Sequence, residues 1–154
     1  MPYTLEIEVN QPRAKVVELF DNPDNLAFWQ PGYASYKHES GESGKPGATA
    51  RIRYLKNGRD FDMIETITVR NLPDEFSSTF HTPGMFNMEV KNFFHEAGPD
   101  KTRWVTENSI EAQGIMMKVM MFFMPGCGKK ESWKFMEYFK VFAETGADVR
   151  KMAR

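Results

Sequence analysis

Apolar and polar residues alternate over long stretches of this chain, which predicts that most of it forms β-sheet. From Tyr3 to Val9 every second residue is apolar, the pattern of a half-buried strand. Similar runs, separated by short turns rich in glycine, proline and asparagine, predict six further strands: Tyr33–Ser40, Ala48–Lys56, Arg59–Arg70, Glu75–Thr82, Phe86–Ala97 and Thr102–Ala112. Because each connection is short, neighbouring strands are expected to pair antiparallel as hairpins.

Two short helices are predicted directly after the first strand. Asn10 is placed to cap a helix that begins near Pro12 and runs to Phe20. Asn22-Pro23 repeats this combination of a cap and a proline, and it predicts a second short helix that continues through Trp29. A Gln-Pro-Gly turn follows and ends that helix.

A long amphipathic helix is predicted near the end of the chain, from Lys129 to Gly146. At about 100° per residue, its apolar face carries Phe135, Phe139 and Phe142, and lysines and glutamates occupy the opposite face. The glycine at its end stands where a C-terminal cap belongs. Ordinary core packing explains most of such a face. The alternative is that the helix covers an apolar cavity.

Between the last strand and this helix lies a segment that is apolar on every side except for Lys118. It extends from Gly114 to Pro125, and it is too short for a transmembrane helix, which needs about 20 residues. Its length favours a buried short helix that leads into the long one. The alternative is a mobile flap of methionine and phenylalanine side chains beside a pocket mouth, in contact with a membrane or a partner protein.

The composition restricts the class of protein. With 154 residues, of which 41% are hydrophobic and 27% charged, the chain fits a single globular domain over residues 1–154. A net charge of -1 argues against a nucleic-acid binder. Cys127 is the only cysteine, which excludes an internal disulfide, and the alternating N-terminus is not a signal peptide, so a cytoplasmic protein is expected. The 11 methionines and 13 phenylalanines are typical of adaptable apolar pockets.

Hairpin turns determine which side chains share a face of the predicted sheet. Asn57-Gly58 is a strong signal for a two-residue type I′ turn, which pairs Ile52 with Met63 and places Glu65 on the same apolar face. The longer turns leave the register to be found by matching apolar faces. The resulting pairs are Val69–Phe76, Ile67–Ser78, Glu65–Phe80, Phe80–Met88, Ser78–Val90, Phe76–Asn92, Phe94–Trp104, Asn92–Thr106, Val90–Asn108 and Met88–Ile110.

On these registers, one face of the sheet is mainly apolar and contains a few polar groups, as the site of an amphipathic ligand requires. Its apolar residues with a predicted ligand-binding role are Ile52, Tyr54, Met63, Ile67, Phe80, Met88, Val90, Trp104 and Ile110. Its polar ones are Ser78, Asn92, Thr106 and Asn108, beside Glu65. Phe135, Phe139 and Phe142 of the long helix are predicted to complete the site.

Glu65 is the candidate catalytic residue. A carboxyl group buried against Met63 and Phe80 should resist ionisation, so its pKa is expected to rise, and a poised acid in an apolar pocket can act as a general acid or base. Three alternatives remain open. A β-bulge turns the side chain outward, Arg51 or Arg53 reaches it, or it only binds a water molecule.

Other kinds of site are not predicted. His38, His81 and His95 do not converge with further ligands, so no metal site is expected. The chain has no phosphate-binding glycine loop, nucleophile elbow or dinucleotide fingerprint, and no cofactor is expected. Cys127 has no histidine placed beside it and is interpreted as a small loop residue. Trp133 either packs under a loop or belongs to a partner surface.

The order of these elements resembles the helix-grip arrangement of the SRPBCC or START-like superfamily, which includes the birch-pollen allergen type and the polyketide cyclase/dehydrase-like proteins. The stretches that carry the resemblance are Pro12–Val16, Leu26–Pro31, Gly44–Ala48, Asn71–Pro73, Thr102–Trp104 and Phe139–Glu144. The resemblance implies an α+β fold in which a seven-stranded curved antiparallel sheet grips the long C-terminal helix. It also implies a large cavity between sheet and helix, and the binding of hydrophobic small molecules.

Three hypotheses of function follow. The favoured one is a binding protein or carrier for a hydrophobic or amphipathic small molecule such as a lipid, an aromatic or a polyketide-like compound. It would act as a monomer or homodimer, with no nucleic-acid partner and no integral membrane segment. The second is a cofactor-free enzyme of cyclase, dehydratase or isomerase type that uses Glu65. The third is an interaction or stress-response module that docks through Gly114–Pro125 and Trp133.

Overall fold

Seven antiparallel strands form one sheet. The computed structural model describes residues 2–56, 58–123 and 126–149. The strands are β1 (Pro2–Val9), β2 (Tyr33–Ser40), β3 (Thr49–Lys56), β4 (Arg59–Asn71), β5 (Glu75–Thr82), β6 (Phe86–Gly98) and β7 (Lys101–Ala112). Their order in the sheet is β1-β7-β6-β5-β4-β3-β2. Strands β2 to β7 therefore form a run of hairpins, and β1 is the edge strand beside β7. The predicted α+β helix-grip fold is confirmed.

Helices occupy the two remaining parts of the chain. They are α1 (Arg13–Asp21), a 3₁₀ turn (Pro23–Asn25), α2 (Leu26–Trp29), α3 (Gly114–Phe123) and α4 (Cys127–Thr145). The two short helices after the first strand and the long C-terminal helix are therefore confirmed. None of the helices in the described part of the chain is both long and apolar enough to cross a bilayer.

Capping residues are placed as predicted at two helix ends and differently at a third. Gly146 has a left-handed φ of 74° and ends α4, and the Asn22 side chain accepts a hydrogen bond at the start of the 3₁₀ turn. Asn10 does not cap α1, because the helix begins only after Pro12 and no side chain caps it. The backbone N–H of Asn10 instead donates to Glu144 Oε2 at 2.7 Å, which ties the end of β1 to α4.

The strand registers agree with those predicted except at one β-bulge. Asn57 lies outside the described residues, but the ladder on either side of it pairs Ile52 with Met63 as expected. On the next hairpin, a bulge between Ile67 and Val69 shifts the register, so Arg70 rather than Val69 pairs with Phe76. The extra residue reverses the direction in which the following side chains of β4 point. Arg70 therefore lies on the side of the sheet that carries the helices.

An aromatic core holds α4 and the short helices against the sheet. Phe139 of α4 is fully buried, and its ring centroid lies 5.1 Å from that of Trp29 and 5.2 Å from that of Trp104. On the other side of this cluster, the rings of Phe20 and Phe94 are 5.1 Å apart. Each such pair contributes about 0.5–1.5 kcal/mol beyond the area that it buries. The cluster therefore fixes α4 over the sheet without filling the whole concave face.

The segment before α4 is helical, as predicted, but it is not buried. Its Ile115 and Met116 side chains are 81% and 86% exposed, and none of the described residues of α3 is buried. Met117 and Met121, one turn apart, are partly covered, so their side of α3 faces the rest of the protein. The expected burial is therefore wrong, because α1, α2 and α4 already cover the helix-facing side of the sheet.

Candidate ligand-binding site

A cavity of about 400 Å³ lies between the sheet, α4 and the α1–α2 segment. Small-molecule sites usually measure about 300–1,000 Å³ and have mainly apolar walls. The cavity wall includes most of the residues predicted from the sequence. They are Ile52, Tyr54, Met63, Glu65, Ile67, Ser78, Phe80, Met88, Val90, Asn92, Trp104, Thr106, Asn108 and Phe135. Alternate residues of neighbouring strands supply this wall, since successive side chains point to opposite faces of a sheet.

Three predicted residues lie away from the cavity wall. Phe139 is enclosed by the aromatic core, and Phe142 stacks on Phe28 with ring centroids 5.6 Å apart. Ile110 lies under the first turn of α4, against the backbone of Gly128, where a larger residue would collide with its side chain. Periodicity places these residues on the correct face but does not separate positions in the packed core from positions at the cavity.

The cavity wall also contains residues that sequence reasoning missed. They are Phe20, Asp21, Pro23, Leu26, Trp29, Gln30, Tyr36, Ser43, Gly44, Arg70, Phe76, Ser132 and Met136. Phe76 belongs to the pairs that match apolar faces, and Phe20 and Trp29 end the two predicted short helices, but the sequence predicts no ligand role for these three residues. Ser43 and Gly44 come from a polar loop, and no periodic pattern marks loop residues as part of a wall.

Glu65 faces the cavity between Ala50 and Phe80 in an unbroken part of the ladder. Burial raises the pKa of its carboxyl group, and Ser78 close by opposes part of the rise. Two of the alternative readings are excluded. The bulge lies further along β4, and Arg51 and Arg53 bind Asp62 on the opposite face at 2.9 and 3.0 Å.

Two tyrosines lie on the same wall as this carboxyl group. Tyr54 donates a hydrogen bond to Gln30 Oε1 at 2.7 Å. Burial raises the pKa of Tyr54 and of Tyr36, and the charge of Glu65 adds to the rise in both. The phenols therefore remain protonated at neutral pH, and because Tyr54 already donates its proton to Gln30, Tyr36 is the phenol that is left to donate to a ligand. This side of the cavity can stabilise an oxygen atom on a ligand.

A second polar group on the wall is internally paired. Trp104 Nε1 donates to Asn92 Oδ1 at 3.0 Å, and Asn92 Nδ2 donates to the backbone of β5 at 3.2 Å. Asn108 Nδ2 donates to Thr106 Oγ1 at 2.7 Å. The side-chain network therefore satisfies much of this group without a ligand, which lowers the cost of burying it.

Two other wall residues hold a buried polar atom with no hydrogen-bond partner among the described residues. They are Ser78 Oγ and Trp29 Nε1. Ser78 is 2% exposed, and its hydroxyl does not reach the geometry of a hydrogen bond with Glu65. A buried group of this kind costs about 1–3 kcal/mol when it is unpaired. Both atoms would gain from an acceptor supplied by a bound molecule.

An ion pair spans one edge of the cavity. Arg70 Nη1 and Nη2 each donate to one carboxylate oxygen of Asp21 at 2.6 Å, and both side chains are about a third exposed. The pair joins the end of α1 to the bulged part of β4. Both residues line the cavity and reach solvent, so we define the edge that carries this pair as the mouth region.

Metal-binding geometry was not found in the part of the chain that the structure describes. No group of three or more histidine, cysteine, aspartate or glutamate side chains is close enough there to hold an ion. His81 bonds to the Asn87 side chain, and His38 Nε2 lies 2.8 Å from the carbonyl of Gly41. These two histidines therefore have local structural partners.

Solved structures share this fold at low sequence identity. A conserved protein from Geobacillus kaustophilus has a TM-score of 0.79 and 15% identity, over 96% of this chain and 97% of its own. The Zhui aromatase/cyclase from Streptomyces sp. R1128 has a TM-score of 0.78 and 10% identity, over 94% and 93%. A START superfamily protein from Mycobacterium smegmatis has a TM-score of 0.70 and 14% identity, over 88% and 94%.

The chain therefore has the same fold as these proteins, one of which is named a START superfamily protein, as the sequence resemblance implied. No protein-family model matches the sequence, and no curated protein does. At identities this low the likeness defines the fold and transfers no activity.

Proposed function

We propose that this chain binds a hydrophobic or amphipathic small molecule, such as a lipid, an aromatic or a polyketide-like compound, in the cavity between the sheet and α4. The observation that carries the proposal is the cavity of about 400 Å³ with its mainly apolar wall. Filling such a cavity with an apolar molecule removes apolar surface from water on both partners. The START superfamily name of one structural neighbour agrees with this proposal at the level of the fold.

The polar groups of the wall favour a ligand that carries oxygen on an apolar skeleton. Trp29 Nε1 can only donate a hydrogen bond, so it selects an acceptor. Ser78 can donate or accept, and a protonated Glu65 can also donate. A carbonyl or hydroxyl group on the ligand satisfies these requirements. The remaining contacts, from residues such as Met88 and Phe135, are apolar.

The direct experiment is to identify what the protein retains. The protein is purified without denaturant, unfolded, and the released small molecules are identified by mass spectrometry. We expect a retained hydrophobic compound of one chemical class, with at least one oxygen atom. A protein that retains nothing, and that also fails to bind an apolar fluorescent dye, would contradict the proposal.

A matched pair of substitutions locates the binding in the cavity. Val90 lies on the wall between Ser78 and Asn108, whereas Val105 lies on the opposite face of the sheet beside Trp104. Val90→Trp should fill part of the cavity and weaken dye or ligand binding about tenfold or more, while Val105→Trp should leave it unchanged. Equal effects of the two substitutions would place the binding elsewhere.

A second candidate function is catalysis of a cyclase, dehydratase or isomerase type on an aromatic or polyketide-like substrate. The observation that favours it is the raised pKa of Glu65 on a wall that also carries two protonated phenols. A carboxyl group with a raised pKa in such a setting can serve as a general acid or base. One structural neighbour is named an aromatase/cyclase, which makes this class of reaction a reasonable one to test.

Binding and catalysis are separated by Glu65→Gln. The amide has nearly the same shape, but it cannot transfer a proton. If the chain is an enzyme, this variant should keep its affinity for the retained compound and lose turnover of it. Unchanged conversion, followed by mass spectrometry, would remove Glu65 from the chemistry.

We also propose that residues 1–154 act as one domain in the cytoplasm, as a monomer or homodimer that binds no nucleic acid. The single continuous sheet from β1 to β2, with α4 packed on it, supports one cooperative unit. Coincident unfolding transitions by fluorescence and circular dichroism test whether the chain is one domain, and the mass in solution tests the oligomeric state. Cell fractionation tests the cytoplasmic location.

A further inference from the structure

α3 carries an exposed apolar surface, which we call the α3 patch. It consists of Ile115, Met116, Val119, Met120, Phe122 and Phe123, which are 48–86% exposed. At about 100° per residue these side chains cover an arc of roughly 160° on one side of the helix. Met117 and Met121 lie on the other side and are partly covered. Large apolar side chains that remain in water over one continuous surface mark an interaction site.

Positive charge accompanies the patch. Lys118 lies beside the apolar arc, and Lys129 and Lys130 follow in the first turn of α4; all three are exposed. The sequence contains no aspartate or glutamate between Glu111 and Glu131. In the described part of the chain, none of these three lysines forms an ion pair. The region is therefore apolar and cationic, in a protein whose net charge is -1.

We infer that the α3 patch docks onto the surface of an anionic lipid bilayer. A helix of this kind lies in the plane of the interface, with its apolar side chains among the upper parts of the acyl chains and its lysines among the phosphate groups. Phe122, Phe123 and Ile115 would enter the apolar layer, and Lys118, Lys129 and Lys130 would bind the headgroups. The charge of the region is complementary to such a surface, since anionic lipids attract basic segments.

A second copy of the chain fits the patch less well. A two-fold symmetric contact through α3 brings the same surface of each copy together. Lys118 of each copy would then face the same cationic region on the other, with no acidic residue in the segment to compensate. A bilayer offers a broad apolar layer bordered by negative charge, which matches both properties of the patch.

The start of α4 connects the patch to the cavity. The Tyr3 hydroxyl bonds to Ser132 Oγ at 2.7 Å and to the carbonyl of Gly128 at 3.2 Å. Ser132 lines the cavity, so the docked surface would lie close to one end of it. Docking itself does not require the proposed ligand, because the patch consists of side chains outside the cavity wall.

The test is binding of the full chain to vesicles, measured by co-sedimentation. The probes are vesicles of phosphatidylcholine alone and of phosphatidylcholine mixed with phosphatidylglycerol. We expect binding to the anionic vesicles, weak or no binding to the neutral ones, and a loss of binding as salt is raised. Protein that stays in the supernatant with both kinds of vesicle would overturn the inference.

Substitutions in the patch give the decisive comparison. Phe122→Asp should lower the partition coefficient on anionic vesicles about tenfold or more, because it removes an inserted ring and adds a negative charge. Leu55→Asp is the matched control, since Leu55 is also an exposed apolar residue, at 51%, and lies on β3. Lys129→Glu should weaken binding at least about fivefold, whereas Lys37→Glu on β2 should not.

If the patch does not bind a bilayer, or binds a second copy of the chain, these experiments give different results. If Phe122→Asp leaves vesicle binding unchanged, or if the anionic and neutral vesicles bind equally, the inference is wrong. A dimer in solution that dissociates in Phe122→Asp would assign the patch to a second copy. Neither result bears on the cavity, which the Val90→Trp and Val105→Trp pair tests separately.

Discussion

The helix-facing side of the sheet is packed in two different ways. Around α4, a cluster that includes Phe94 and Phe139 excludes solvent almost completely. Over β3 and β4, the buried cluster consists of Ile52, Tyr54 and Met63, with the cavity beside it. Both regions are built from large apolar side chains on the same face of the same sheet. The difference is that side chains of the helices fill the space over the first region, whereas a cavity remains over the second.

This difference assigns stability to one region and binding to the other. Protein interiors are as densely packed as organic crystals, so a space of about 400 Å³ is not a normal packing fault. The aromatic cluster under α4 compensates by fixing the helix while the rest of the concave face stays open. Substitutions in the two regions should therefore have different consequences, even when the chemical change is the same.

The largest effect on stability is expected from Phe139→Ala. Phe139 is fully buried and packs against Trp29 and Trp104, so its truncation should cost about 3–5 kcal/mol of unfolding free energy. The matched change, Phe80→Ala, removes a ring from the cavity wall and only enlarges an existing space, so it should cost less than half as much. Urea unfolding with linear extrapolation measures both. Equal costs would mean that the two regions are packed alike.

Glu65→Gln should stabilise the protein in a way that depends on pH. Burial raises the pKa of Glu65 above the ordinary value of 4.5, so the folded state binds this proton more tightly than the unfolded state. The stability linked to this group is complete below that ordinary value and is lost as pH rises through the raised pKa. At pH values above the raised pKa, the Glu65→Gln variant should be more stable than the native protein, by about 1–3 kcal/mol.

Urea unfolding across this pH range checks the effect of Glu65→Gln. The two proteins should have the same stability below the ordinary pKa and should differ increasingly as the pH rises through the raised pKa of Glu65. Glu107→Gln is the control, because Glu107 is exposed on the other face of the sheet. A constant difference at every pH would show that the change acts through packing and not through the charge.

Local patterns in the sequence were sufficient for the fold and for much of the cavity wall. The Asn57-Gly58 turn and the alternation around it placed Glu65 opposite Ala50 and beside Met63, and the ladder agrees. Period and turn type depend on neighbouring residues alone. They therefore predict which side chains share a face. Whether those side chains bind a ligand remains a prediction.

The remaining features depend on contacts between distant parts of the chain. Arg70 reaches the cavity because one extra residue enters β4, and no turn residue marks that bulge. Phe139 has the same periodicity as Phe135, but the rings of Phe20 and Trp104 pack against Phe139 and place it in the core. The length of the segment from Gly114 to Pro125 favoured a buried helix. Burial also requires a free surface to cover it, and the sequence pattern of α3 does not contain that information.

A smaller effect is expected at the mouth region. Asp21→Asn removes the charge partner of Arg70, and a partly exposed ion pair of this kind contributes about 0.2–1 kcal/mol to stability. The pair spans an edge of the cavity, so its loss should also speed the release of a bound dye, by up to about fivefold.

The control for the mouth is Arg53→Gln, which breaks an ion pair on the opposite face of the sheet. It should leave dye release unchanged. Stopped-flow dilution measures the release rate, and urea unfolding measures the stability. If both variants change release equally, the Asp21–Arg70 pair has no special place at the mouth.

The smallest effect on stability is expected from Phe122→Ala in α3. Phe122 is 79% exposed, so its truncation should change the unfolding free energy by no more than about 0.5 kcal/mol. Phe142→Ala makes the same change in α4, where the ring is 7% exposed and stacks on Phe28, and it should cost several times more. Urea unfolding compares the two variants at the same pH. A large cost for Phe122→Ala would mean that α3 is held against the protein in solution, and its apolar side chains would then not be free to enter a bilayer.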